Sequence, residues 1–187
     1  MSLAYTSRRG DTYYLHVGAK KGGGVQHYFS KSAKGNMADA VPEGFEIYET
    51  VNGQVYLRRK KPRLILESEV AAVQQVMNKR AGDWRHKLEV RDEQIIIHES
   101  GSDYNWVREI NPWLTSQRTD EIARKCASYM PVMRFVLEDK KKRLFAPERY
   151  CFRGSVDDWI AIGESDKIEK LATKYLKHLG RDSIYEL

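Results

Sequence analysis

Phe45-Glu46-Ile47-Tyr48-Glu49-Thr50 and Gln54-Val55-Tyr56-Leu57-Arg58-Arg59 flank Val51-Asn52-Gly53. Both runs are rich in β-branched and aromatic residues, and Asn-Gly between two such runs is the strongest short hairpin signal. The stretch therefore reads as two antiparallel strands and a tight turn. Upstream, Thr12-Tyr13-Tyr14-Leu15-His16-Val17 and Val25-Gln26-His27-Tyr28-Phe29-Ser30 read the same way. They are joined by Gly18-Ala19-Lys20-Lys21-Gly22-Gly23-Gly24, a flexible hairpin loop. A short further strand is expected at Tyr5–Arg8, and Pro62 closes this front piece.

Downstream the pattern changes. Glu67 or Ser68 opens a helix with Val70, Val73, Val76 and Met77 at helical spacing. Strands are expected at Lys87–Val90 and Gln94–His98, around Arg91-Asp92-Glu93. Residues 100–115 read as irregular, and Thr119–Tyr129 as a helix with Ile122, Ala123, Cys126 and Ala127 inward. Met133–Leu137 and Arg143–Phe145 form a hairpin, and Trp159–Ile162 a short buried strand. Ser165 suits an N-cap for a final helix 166–179, whose stripe is Ile168, Leu171, Ala172, Tyr175, Leu176 and Leu179. Gly180 sits where a C′ residue belongs. The fold class is α+β: an antiparallel β module at 1–64, then an α+β module at 67–187 with β-hairpins and a C-terminal helix.

Charge divides the chain at the same place. Residues 1–66 hold 11 Lys+Arg and 5 Asp+Glu, and 11 − 5 accounts for the whole formal surplus of +6. Residues 67–187 hold 21 of each. A basic front module favours an anionic partner such as nucleic acid. No run approaches the ~20 apolar residues that a membrane-spanning helix needs, and Met1–Tyr5 has no signal-peptide character. The two cysteines, Cys126 and Cys151, make no disulfide framework. A cytoplasmic protein with reduced thiols is expected.

Strand alternation then sorts the front module into two faces. Tyr13, Leu15, Val17, Val25, Phe29, Phe45, Ile47, Val55 and Leu57 make an apolar face, expected to be the core. The opposite face carries Tyr14, Tyr28, Tyr48 and Tyr56, with His16, Gln26, Glu46 and Arg58. Aromatic rings beside basic groups suit single-stranded nucleic acid: bases stack on the rings while cations neutralise phosphates. Lys20, Lys21, Arg59, Lys60, Lys61 and Arg63 are the candidate phosphate contacts. The competing reading makes the tyrosines a second buried face, covered by the helix from residue 68 through Val70, Val73 and Met77.

Other motifs carry less. Gly18–Gly24 lacks the Gly-Lys-Ser/Thr and the following helix of a P-loop, so a hairpin tip fits better. His16, His27, His86, His98 and His178 form no metal-binding pattern, and neither a metal nor a cofactor is expected. Asp157-Asp158 are neighbours that point apart in an extended segment, whereas in a turn an aspartate bonds its own backbone; a structural role is expected of them. Cys151 and Ser155 have no positioned base. Lys140-Lys141-Lys142-Arg143 reads as a solvated hairpin tip.

Three stretches carry a resemblance. They are Gly10–His16, Glu148–Ile160 (Glu-Arg-Tyr-Cys-Phe-Arg-Gly-Ser-Val-Asp-Asp-Trp-Ile), and His178–Ser183 with Tyr185-Glu186-Leu187. Together they resemble a group of uncharacterised bacterial proteins with no assigned activity. The resemblance implies a bacterial cytosolic origin and brings no functional residues.

Three functional expectations follow. The first is a non-catalytic protein binding nucleic acid or another polyanion through the front module. The second is a protein–protein adaptor with Trp106 and Trp113 in a sticky patch. The third is a hydrolase-type enzyme with a site near His98, Glu148 and Asp157.

Overall fold

The computed structural model describes residues 2–79, 84–101, 109–153 and 156–187, the side chains of 153 and 156 excepted. The chain divides into two units, Met1–Pro62 and Arg63–Leu187. The α+β class holds, with antiparallel pairing throughout the described strands.

Unit 1 contains β1 (Ala4–Thr6), β2 (Thr12–Ala19), β3 (Val25–Ser30), β4 (Phe45–Glu49) and β5 (Val55–Arg59). The first three form one sheet in the order β1-β2-β3, and β4 and β5 form a separate ribbon. β2 is central because both its edges are used. β3 pairs along one edge. On the other, β1 pairs Thr12–Tyr14, and beyond it Val17 N–H donates to Asn36 O at 2.9 Å and Ala38 N–H to Leu15 O at 2.8 Å. Glu49 at the end of β4 ties the ribbon to the sheet. Its carboxylate accepts from the Tyr5 hydroxyl and the Arg8 N–H, both at 2.8 Å. The hydrogen bond to Glu49, followed by burial, raises the Tyr5 pKa above its ordinary value.

The Asn52-Gly53 turn forms as a wider loop than the two-residue type. Thr50 N–H donates to Gln54 O and Gly53 N–H to Thr50 O, both at 2.9 Å. Gly53 has φ +75°, while Asn52 stays out of the left-handed region. This is the signature of a type I turn closed by a left-handed glycine. A Cβ at Gly53 would also lie 3.0 Å from Arg9 Cγ, a tight approach to which the arginine side chain would have to yield.

The core of unit 1 is thinner than its alternation implies. Leu15 and Val55 are its buried apolar side chains, while Tyr13, Val17, Phe29, Phe45, Ile47 and Leu57 are half-buried. Val25, placed on the core face by pattern, is 60% exposed because it stands at the hairpin mouth.

Unit 2 is built on β6 (His86–Arg91), β7 (Gln94–Ser100), β8 (Tyr129–Asp139), β9 (Leu144–Arg153) and β10 (Val156–Ala161). They make a five-stranded meander, β10-β9-β8-β7-β6. The helices are α1 (Glu67–Asn78), α2 (Ser116–Cys126) and α3 (Ile168–Tyr175), and 3₁₀ turns follow at Leu176–His178 and Asp182–Glu186. α1 and α3 lie side by side. Val73, Met77, Ile168, Leu171, Ala172 and Tyr175 join Ile95, Ile97, Met133, Phe135, Leu137 and Phe145 in one core. Helix α1 thus buries Val73 and Met77 in this core.

Several boundaries differ from the sequence reading, each for a non-local reason. α2 starts three residues before Thr119, where the Thr115 hydroxyl accepts the Arg118 N–H at 3.3 Å; Tyr129 opens β8 instead of ending the helix. The expected 133–137 and 143–145 hairpin is the tip of two much longer strands. Pro147 is tolerated in β9 because the ladder to β10 ends there; its carbonyl still accepts from Ile162 N–H at 3.0 Å. Ser165 is not the N-cap of the last helix: its hydroxyl bonds Glu138. Asp166 exchanges both backbone bonds with Phe145, at 2.9 and 3.1 Å, and so stays extended until the helix begins at Ile168. Gly180 takes the expected left-handed conformation, with φ +68°.

Two side-chain arrangements fix unit 2. In the β8–β9 turn, the Asp139 carboxylate accepts the Lys142 and Lys141 N–H groups at 2.8 and 2.9 Å, which holds its pKa below the ordinary range. Arg143 follows in the left-handed region, φ +51°. Its guanidinium grips Glu69, with Nε to Oε1 at 2.8 Å and a second bond to Oε2, and reaches Leu64 O at 3.1 Å. Glu69 is 5% exposed and also accepts the Leu66 N–H at 2.8 Å, capping α1.

The second arrangement lies on β10, an edge strand and not the buried strand expected at Trp159–Ile162: Trp159 and Ile160 are half-buried and Ala161 is exposed. Ile162 N–H bonds back to Pro147, so ladder alternation turns the backbone groups of Asp157 and Trp159 away from β9. The outward Trp159 N–H donates to Asp158 Oδ1 at 2.7 Å, and the outward Asp157 carbonyl accepts from the Tyr150 hydroxyl at 3.2 Å. Asp158 thus bonds local backbone from within a strand and not from a turn.

Candidate functional site

On β2 and β3 the register is Tyr14↔Ser30, His16↔Tyr28 and Gly18↔Gln26, so these six residues share one face. The Tyr28 ring lies nearly parallel to the His16 ring, with centroids 5.4 Å apart and planes 17° apart. Gly18 makes room for it: a Cβ there would come within 3.3 Å of Tyr28 Cε1. His16 is not presented to solvent as its strand position suggests. It is buried, and its Nε2 lies 2.9 Å from Ser32 O in the segment that crosses back to pair with β2. Tyr14 is half-buried on the same face, whereas Tyr28 remains 44% exposed.

On the ribbon, Tyr48↔Tyr56 and Glu46↔Arg58 are direct cross-strand pairs on one face. The Arg58 guanidinium sits 4.1 Å from the centre of the Tyr48 ring, and its Nε bonds Glu46 Oε1 at 2.8 Å. Arg58 and Tyr48 therefore serve the ribbon itself. Tyr56 stays open: it is 49% exposed, and its hydroxyl donates to Gln54 Oε1 at 3.2 Å. β3 and β5 run beside each other without pairing, which brings the strands of Tyr28 and Tyr56 together.

Seven of the ten Lys and Arg residues of unit 1 fall into two groups. Lys31 pairs with Asp11 at 2.8 Å, Arg58 with Glu46, and Arg8 approaches Glu49 at 4.0 Å. The hydrogen bond to Asp11 raises the Lys31 pKa above its ordinary value. Lys20, Lys21, Arg59 and Lys60 are exposed and take part in none of the described ion pairs. The first two stand on the β2–β3 loop, where Lys20 N–H bonds Gly24 O at 3.1 Å and Gly23 and Gly24 have positive φ. That is the hairpin tip expected from sequence.

Unit 2 does not assemble the expected His98, Glu148 and Asp157 site. His98 is buried with Nε2 on Glu89 Oε2 at 2.9 Å, and Arg91 holds the same carboxylate at 3.1 Å. Glu148 pairs with Arg134 at 2.5 Å. β8 separates the strands of His98 and Glu148, which places them about 10 Å apart or more at ordinary strand spacing. Asp157 lies on the far edge strand.

Burial pushes the Glu89 carboxyl up, but the hydrogen bond from His98 and the Arg91 charge outweigh it, and its pKa is lowered. A depressed carboxylate adds stability above its unfolded pKa of about 4.3 and loses it as pH falls through the folded value. Glu89→Gln should therefore be less stable than the parent at pH 7. The difference should shrink below about pH 4, as chemical denaturation across that range would read.

Sequence reasoning missed one aromatic cluster. Tyr150 contacts Phe152 (centroids 4.6 Å) and meets Trp159 edge-on (5.0 Å), while the Arg134 guanidinium lies 4.4 Å from the Trp159 ring. Phe152 is 54% exposed. Alternation at 148, 150 and 152 was the available signal.

Trp113 is 77% exposed and Ile110 63%, whereas Trp106 and Ser155 lie outside the described residues. Cys126 is exposed, Cys151 is buried, and both are free thiols. Among the described residues no cluster of His, Cys, Asp and Glu is arranged to hold a metal ion, and no helix is long and apolar enough to cross a membrane. Comparison with protein-family models, curated proteins and solved structures finds no match.

Proposed function

We propose that the protein is a non-catalytic binding protein that contacts nucleic acid or another polyanion through unit 1. One observation carries the reading: Lys20, Lys21, Arg59 and Lys60 are exposed and outside the described ion pairs, in the unit that also exposes Tyr28 and Tyr56. Residues 1–62 hold 10 Lys+Arg and 5 Asp+Glu, a surplus of 10 − 5 = +5. Such a surface binds by releasing counterions, so affinity must fall steeply with salt.

The test is retention of the full chain on heparin and on oligonucleotides as salt is raised. Binding at low salt is expected, with a linear fall of log K against log salt. Lys60→Ala should flatten that slope by about 0.7–0.9 for its lost phosphate contact, as should Lys21→Ala. Absence of retention on every polyanion at low salt would end the proposal. Arg58→Ala is the poorer probe, because Arg58 holds Tyr48 and Glu46 and its loss disturbs the ribbon. A second reading, a protein–protein adaptor, is favoured by the exposure of both Trp113 and Ile110.

A further inference from the structure

We infer that the polyanion is single-stranded nucleic acid, with bases stacked on Tyr28 and Tyr56. The inference rests on the polyanion reading and narrows it. Cations alone would serve a duplex, heparin or polyphosphate equally well, because each offers only a field of negative charge. Unpaired bases offer something more, an open π-face.

Of the four tyrosines on the two faces, Tyr14 and Tyr48 are partly covered. Tyr14 is half-buried, and Tyr48 is covered by Arg58. Tyr28 and Tyr56 keep 44% and 49% of their surface in solvent. Neither hangs free. Tyr28 is backed by His16, which Ser32 O holds from behind, and it lies over a glycine that leaves it room. The Tyr56 hydroxyl is tied to Gln54. A ring fixed in advance loses little freedom when a base lands on it, so stacking retains its full value.

The cations stand at the right distance for phosphates. Tyr28 lies three residues into β3 from its start beyond the Lys20-Lys21 loop, and Tyr56 lies three residues before the end of β5, past which Lys60 follows on the alternation of Tyr56 and Arg58, whereas Arg59 stands opposite Phe45 on the other face. At about 3.3 Å per residue each ring is about 10 Å along its strand from that end. A strand of nucleic acid laid on one ring therefore reaches the cations with its backbone. A duplex, with its bases already paired and stacked, offers neither ring a face except at its ends.

The experiment is a fluorescence anisotropy titration of the full chain. The probes are labelled single-stranded oligothymidylate, a duplex of equal length, and heparin as competitor. Single strands should bind more tightly than the duplex. Tyr28→Ala and Tyr56→Ala should each weaken single-strand binding by about fivefold to a hundredfold, the worth of one stacked base. The salt slope and heparin binding should not change. Tyr28→Phe keeps the ring and should bind like the parent chain, which separates stacking from a folding defect. Equal affinity for duplex and single strand, or tyrosine variants that bind single strands unchanged, would overturn the stacking inference while leaving charge-driven binding intact. No binding to any of the three probes at low salt would remove both.

Discussion

Glu69→Ala should cost unit 2 about 2–4 kcal/mol, for the lost charge-assisted hydrogen bonds to a half-buried guanidinium and the lost helix cap. Three donors converge on this one carboxylate: Leu66 N–H, Arg143 Nε and the Arg143 terminal nitrogen. Alanine removes the cap of α1 and strands a guanidinium whose side chain is only 24% exposed. Urea unfolding should show a lower midpoint. A loss under about 1 kcal/mol would contradict the arrangement. Glu69→Gln keeps an acceptor for the cap and should lose less. Arg143 gives an independent check. Its φ of +51° disfavours any side chain, so Arg143→Gly should be the less damaging of two truncations, by about 1 kcal/mol relative to Arg143→Ala.

Gly163→Ala should be nearly as damaging, for a purely steric reason. A Cβ on Gly163 would stand 2.0 Å from the Tyr175 hydroxyl and 3.2 Å from its Cζ. Tyr175 is fully buried, and its hydroxyl donates to Ile162 O at 3.1 Å, so the ring has nowhere to go without opening the core. Overpacking of this kind costs about 1–3 kcal/mol, and the upper end is expected here. Tyr175→Phe alone should cost about 1 kcal/mol, for the lost hydrogen bond. In the Tyr175→Phe background the nearest clashing atom is gone, so Gly163→Ala should cost at least about 1 kcal/mol less there. Strictly additive losses in that cycle would show that the close approach is not the cause.

The strands were legible wherever alternation is local. Thr12–Val17, Val25–Ser30 and both arms of the Val51-Asn52-Gly53 turn lie where pattern and turn chemistry place them, as do β6 and β7. α1 followed from the spacing of Val70, Val73, Val76 and Met77, of which Val73 and Met77 are buried. The errors arise where distant segments decide. Nothing near Ser165 announces that Asp166 will pair with Phe145 and delay the helix. Nothing in β9 alone shows that Pro147 falls opposite Ile162, whose carbonyl accepts from the Tyr175 hydroxyl instead.

The same division holds at the candidate site. The period of a strand places the four tyrosines in cross-strand sets, Tyr14 with Tyr28 and Tyr48 with Tyr56. It does not reveal that the return segment through Ser32 and Asn36 buries His16, or that Arg58 covers Tyr48. Exposure belongs to whatever lies over a face, and that information is spread along the chain.

The self-bonded rim of β10 has a consequence for crowded conditions. An unpaired strand normally invites a foreign strand to lengthen the sheet, the first step toward fibres. At Trp159 the N–H that an incoming strand would need is taken by Asp158, and at Asp157 the carbonyl is occupied by Tyr150. At these two positions a newcomer would have to break a bond before gaining a rung, and it would approach past two carboxylates. That border of the meander is thereby guarded at two of its rungs, next to the ring cluster of Tyr150, Phe152 and Trp159.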